Sequence, residues 1–224
     1  MSLISRGTLH KPRGKTYKEY AREVPLEVNV QELVKVVASN SRRIPISKAD
    51  ACFHLWNLSV GSSDQRDEML DLLLGSVLVK LIASSTDESA KFNAAGCLQM
   101  LSTEEEGCLQ ISETKVGKGN NGYKVIAALM VGPHDRTKVS AAAILYEMST
   151  HSDLQAGVLS TLPTMLRLID TDYPEWAGLR KAHAYLATAI RNLLFLSSES
   201  QQKTVLRQLL ATGAVSSLVS PVKR

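Results

Sequence analysis

The residues best equipped for chemistry in this chain are scattered, and their spacing fails each reaction they could serve. The run Gly117-Lys118-Gly119-Asn120-Asn121-Gly122-Tyr123-Lys124 has the glycine density of a phosphate cradle. A phosphate loop needs Lys and then Ser or Thr directly after its last glycine, and Tyr123 stands at the Lys position. The run therefore reads as an inserted, solvent-exposed connection. His54 follows Asp50 by four residues and His151 follows Glu147 by four, but each pair supplies only two of the ligands a zinc ion takes. His10, His134 and His183 are scattered, and no Gly-x-Ser-x-Gly elbow presents a nucleophile. Glu104, Glu105 and Glu106 are explained by the positive end of a helix dipole. Cys52, Cys97 and Cys108 lack metal-site spacing and read as small buried hydrophobes in a reducing compartment. No complete catalytic, cofactor or metal site emerges, so the expectation is a chain that binds, not an enzyme.

The elements that position these residues repeat. Four apolar stripes end in related signatures: His54-Leu55-Trp56-Asn57-Leu58-Ser59, Cys97-Leu98-Gln99-Met100-Leu101-Ser102, Ile144-Leu145-Tyr146-Glu147-Met148-Ser149 and Ala189-Ile190-Arg191-Asn192-Leu193-Leu194. With Leu58, Leu101, Met148 and Leu193 as anchors, the spacings are 43, 47 and 45 residues, within the range of helical repeats. The periodicity predicts a helix at 30–37, another at 47–59, then short, short and long helices at 65–73, 77–83 and 88–101. The same order returns over 103–149 and 152–196. A Ser/Thr-x-x-Glu/Gln capping box is expected after each anchor, at Ser62 with Gln65, Thr103 with Glu106, Ser152 with Gln155 and Ser198 with Gln201.

The fold class expected is all-α: a right-handed α-α superhelix of about four repeats with an extended N-terminal arm. Residues 1–26 form the arm and 27–220 the repeat domain, divided at 27–60, 62–102, 103–149, 152–197 and a partial 198–220, with a tail at 221–224. A hydrophobic content of 44% with only 5% aromatic residues suits helix packing by small side chains more than a β-sandwich. No apolar run approaches the length needed to span a bilayer. Without a secretory signal core the expected location is intracellular, in cytoplasm, cytoskeleton or nucleus. The net charge of +4 resides in the arm, where Arg6, Lys11, Arg13, Lys15, Lys18 and Arg22 face only Glu19 and Glu23. Any attraction to nucleic acid is therefore expected through residues 6–22, with removal of the arm abolishing a steeply salt-dependent affinity.

The phrases Ala49-Asp50-Ala51-Cys52-Phe53-His54-Leu55-Trp56-Asn57-Leu58-Ser59 and Leu210-Ala211-Thr212-Gly213-Ala214-Val215-Ser216-Ser217-Leu218-Val219 resemble the third-helix and second-helix signatures of armadillo repeats. The resemblance covers roughly residues 28–220 and is weakest in the middle; HEAT-like stacking is its near neighbour. It implies a groove lined by third helices, which in this sequence would carry Asp50, Phe53 and Asn57; Ser89, Asn93, Gly96 and Met100; Arg136, Ser140, Ala143 and Glu147; Lys181, Tyr185, Thr188 and Asn192. In armadillo proteins similar to importin alpha, a third-helix Asn holds an extended peptide's backbone and a Trp four residues earlier packs on a Lys or Arg stem. Asn57 and Asn192 match that Asn, but Phe53 and Thr188 replace the Trp, and Met100 and Glu147 replace the Asn in the middle repeats. The expectation is a protein-interaction scaffold or adaptor, a subunit of a larger assembly; the alternatives are an importin-like peptide carrier and a nucleic-acid-associated protein. The partners are proteins, bound through the groove or through uncapped ends, one of which is expected to dock on a partner or on a second copy.

Overall fold

The computed structural model describes residues 29–39, 46–117, 119–170 and 177–212. The arm residues Arg6, Lys11, Arg13, Lys15, Lys18 and Arg22 therefore lie outside the described residues, as do Trp176 and the segment 213–224.

Several helices begin where a side chain takes a first free amide. Asn29 accepts from Gln31 N and opens α1 (Val30–Ala38). Ser47 accepts from Asp50 N and opens α2 (Lys48–Gly61). Ser62 opens α3 (Ser63–Asp71), which a left-handed Leu73 at φ 55° separates from α4 (Leu74–Ser84). Asp87 accepts from Ser89 N and Ala90 N and opens α5 (Glu88–Leu101). The next module runs through α6 (Glu105–Glu113), α7 (Gly122–Met130) and α8 (Asp135–Ser149). After a 3₁₀ turn at Ser152–Leu154 come α9 (Gln155–Ser160), α10 (Leu162–Ile169) and α11 (Ala177–Phe195), and α12 (Glu199–Thr212) follows.

These helices stack in three rows. The third helices α2, α5, α8 and α11 pack in series, the second helices α1, α4, α7 and α10 pack beside one another, and the short first helices α3, α6, α9 and α12 complete each module. The core runs through the whole stack, from Leu33 and Leu55 through Leu98, Ile126 and Ile144 to Leu186 and Leu193, each almost wholly buried. Polar side chains lock one module to the next. Gln110 of α6 is buried; its Nε2 donates to Leu70 O at 2.8 Å and its Oε1 accepts from Gly75 N at 3.1 Å, satisfying the backbone on both sides of the Leu73 turn. Arg66 of α3 reaches Glu104 at 3.0 Å and donates to Ser59 O.

Two local expectations are corrected. The capping boxes hold only in part. Ser62 accepts from Gln65 N, and Gln201 Oε1 accepts from both Ser198 N and Ser198 Oγ. Thr103 instead donates to Met100 O while Glu104 takes the N-cap position, because Gly107 is pressed so close to Leu101 O that the chain must turn tightly there. Ser152 donates to Asp153, and Gln155 Nε2 donates to Ser149 O. The second correction concerns the glycine-rich run, which is only partly loop. Lys115–Val116 pairs antiparallel with Asn120–Asn121, Gly117 and Gly119 take positive φ at the turn, and Gly122 already begins α7. Tyr123 is 7% exposed, with its hydroxyl 3.3 Å from Leu154 O and its ring where a side chain at Gly157 would stand.

Candidate interaction face

The stripe expected to line the groove lies one, five, eight and twelve residues before each anchor, about a quarter-turn from the residues that enter the core. In a stacked array, a helix 8 to 10 Å away occupies that angle. Much of the stripe accordingly meets the preceding third helix. Asn93 Nδ2 donates to Ala49 O at 2.9 Å. Gly96 is buried beneath Trp56, and a Cβ there would stand 2.5 Å from Trp56 Cε2. Ser140 and Ala143 are buried. The Tyr185 ring lies 5.7 Å from Tyr146, and Asn192, 7% exposed, donates to Ser149 Oγ at 3.0 Å. Asn192 is thus engaged inside the array, whereas Thr188 is half-buried.

The rest of the stripe reaches the surface. Asp50, Phe53, Asn57, Met100 and Glu147 are half-buried; Ser89, Arg136 and Lys181 are exposed. Asn57 holds the position of Asn192, but its amide nitrogen is buried without a hydrogen-bond partner, as is His54 Nδ1 one turn earlier. Beside the stripe, two residues before each anchor, stands a row not expected in the groove, Trp56, Gln99, Tyr146 and Arg191, of which the sequence marks Trp56 alone as a packing residue. Trp56 meets Phe92 edge-on at 5.4 Å, and Tyr146 meets Tyr185. The signal that marks this row is the small residue facing it: Gly96 leaves room for an indole that no other residue would.

The electrostatics of the face follow from partial burial. Desolvation pushes the Glu147 carboxyl above its ordinary range, and nearby His151 only partly offsets this. Desolvation lowers His54 despite Asp50, and lowers His183, whose Nε2 lies 3.2 Å from Leu168 O. The three thiols are buried and free; burial pushes Cys52 and Cys108 up to about 12 and raises Cys97, which leaves them protonated and poorly nucleophilic. Among the described residues, no group of three or more His, Cys, Asp and Glu side chains could hold a metal ion, and no helix is long and apolar enough to cross a membrane.

Against solved structures the arrangement is familiar. A designed armadillo repeat protein in complex with the peptide (KR)4 superposes with a TM-score of 0.68 at 14% identity, over 87% of this chain and 76% of that one. A second designed armadillo repeat protein gives 0.67 at 15% identity over 84% and 72%, and an engineered protein gives 0.58 at 20% identity over 86% and 85%. This chain has an armadillo-like fold. The likeness is one of architecture: no family model and no curated protein matches the sequence. Within the armadillo architecture, the third helices form the row whose surface residues are described above.

Proposed function

We propose that the chain is a non-enzymatic protein-interaction scaffold that holds an extended segment of another protein across its third-helix face. The observation that carries this reading is the Glu147 carboxyl: half-buried, displaced upward by dehydration, and standing one residue from the Tyr146–Tyr185 pair. A carboxylate already stripped of part of its water gains more from an arriving ammonium or guanidinium than an exposed one does. The half-buried Tyr146–Tyr185 pair on the adjoining flank of α8 supplies aromatic surface for the segment to cross. The bound segment would therefore place a Lys or Arg at Glu147. The fold supports the reading, since a designed armadillo repeat protein of this architecture was solved with an alternating Lys-Arg peptide.

The test is selection of unstructured peptides from a displayed random library by the full chain. Enrichment of linear motifs containing Lys or Arg is expected, with affinity falling about tenfold in Glu147→Gln, the equivalent of about 1.4 kcal/mol for one charge-assisted hydrogen bond. Enrichment of no linear motif, or of motifs bound equally by the variant, would overturn it.

A further inference from the structure

We propose that a second copy of this chain docks head-to-tail on the outer flank of α11, with Asp50 of the incoming copy meeting Arg191. The argument comes from repeated positions within the array. Each third helix receives the next on the flank that carries the residues six and two before its anchor. The residue six before is small throughout: Cys52, Ala95, Ala142 and Ala187, of which the first three are fully buried and Ala187 is only half-buried. The residue two before is Trp56 in α2 and Tyr146 in α8, and each meets the helix that follows it. In α11 this position is Arg191, exposed and without an ion-pair partner among the described residues. The platform that receives a helix is thus retained, and where α2 and α8 carry an aromatic ring and α5 carries Gln99, α11 carries a cation that a carboxylate on the incoming helix would complement.

That carboxylate is present at the other end of the molecule. Tyr146 meets Tyr185, which stands eight residues before its own anchor. The corresponding position in α2 is Asp50, half-buried on the flank that no other described third helix covers; its carboxylate takes a hydrogen bond from Ser47 Oγ but makes no ion pair among the described residues. Repeating the α8–α11 relationship between copies therefore sets Asp50 against Arg191. Apolar surface adjoins the site: Phe195 is 76% exposed at the end of α11, and Leu206 and Leu210 are exposed on α12, which packs against α11. A contact between unlike ends is heterologous and propagates unless the rotation closes a ring.

The test is sedimentation velocity of the full chain over roughly 1 to 100 µM. The average mass is expected to rise above the 24.4 kDa monomer with concentration, and Arg191→Glu and Asp50→Arg are each expected to weaken this at least about tenfold. Mixing the two variants should then restore growth as alternating copies, because every junction between unlike variants pairs a carboxylate with a cation across positions 50 and 191, whereas neither variant alone offers such a pair. Circular dichroism melts of both variants at the wild-type temperature establish that neither loss is unfolding. A wild-type monomer throughout, association indifferent to both substitutions, or a mixture that stays monomeric would overturn the proposal. So would association that appears only after removal of residues 213–224, which would make those residues the occupant, or binding of an acidic helix of another protein with no self-association.

Discussion

The seam between α2 and α5 and the seam between α8 and α11 are the first and last of the three seams between third helices, and they are built from different chemistry. In the first, the Trp56 indole lies over Gly96 and against Phe92, and the polar link is a side chain to a backbone carbonyl, Asn93 to Ala49. In the second, Tyr146 meets Tyr185 ring to ring, and the polar link joins two side chains, Asn192 and Ser149. The comparison teaches that the array preserves position while exchanging mechanism. One seam is held by a large ring in a hole left by a missing side chain, the other by a ring pair and a buried hydrogen bond. The first should therefore be the more brittle to changes of volume, and the second to changes of polarity.

Trp56→Ala should produce the largest effect, a loss of about 3 kcal/mol in urea unfolding, because it empties the socket over Gly96. Gly96→Ala should cost about 2 kcal/mol by forcing the indole aside, and almost nothing when Trp56→Ala is already present. Equal costs in both backgrounds would show that the indole does not fill that space. In the other seam, Asn192→Ala should cost about 1.5 kcal/mol, most of which disappears in a Ser149→Ala background. Tyr146→Ala and Tyr185→Ala should couple by about 1 kcal/mol in a double-mutant cycle, below the coupling of Trp56 with Gly96.

The smallest effect concerns pH. Burial depresses His54, so below the free-histidine value of about 6.5 the unfolded chain takes up a proton that the folded chain resists. Stability is unaffected above that value and falls as pH drops through it. His183 adds in the same direction, through the joint of α10 and α11. The slope of unfolding free energy between about pH 6.5 and 5 should flatten in His54→Gln and flatten further with His183→Gln. Melts whose pH dependence is unchanged by both substitutions would remove the histidines from the account.

The repeat was legible in the sequence because the anchors are core residues, and core periodicity survives whatever the surface does. The helix expected over 88–101 is Glu88–Leu101, and the short, short, long order appears in each of the complete modules. The capping boxes at Thr103 and Ser152 were misread because a hydroxyl donates to a nearby carbonyl as readily as it accepts from an amide, and sequence spacing does not distinguish the two. Tyr123 was read only as a misfit at the phosphate-loop Lys position, because the partner of its ring, Gly157, lies more than thirty residues away. The candidate face was half legible. Helical spacing gives the angle at which Asn93, Ser140 or Asn192 leaves its helix, but not whether water or a neighbouring helix lies at that angle. Small residues such as Gly96 and Ala143 carried that information, as places where something else must fit.

Hydrogen–deuterium exchange of the full chain with and without a saturating peptide of the selected kind tests the central claim most directly. Protection concentrated in α5, α8 and α11, with the first and second helices unchanged, is the predicted result. Protection confined to those other rows, or spread evenly over all three, would contradict an interaction face built from the third helices.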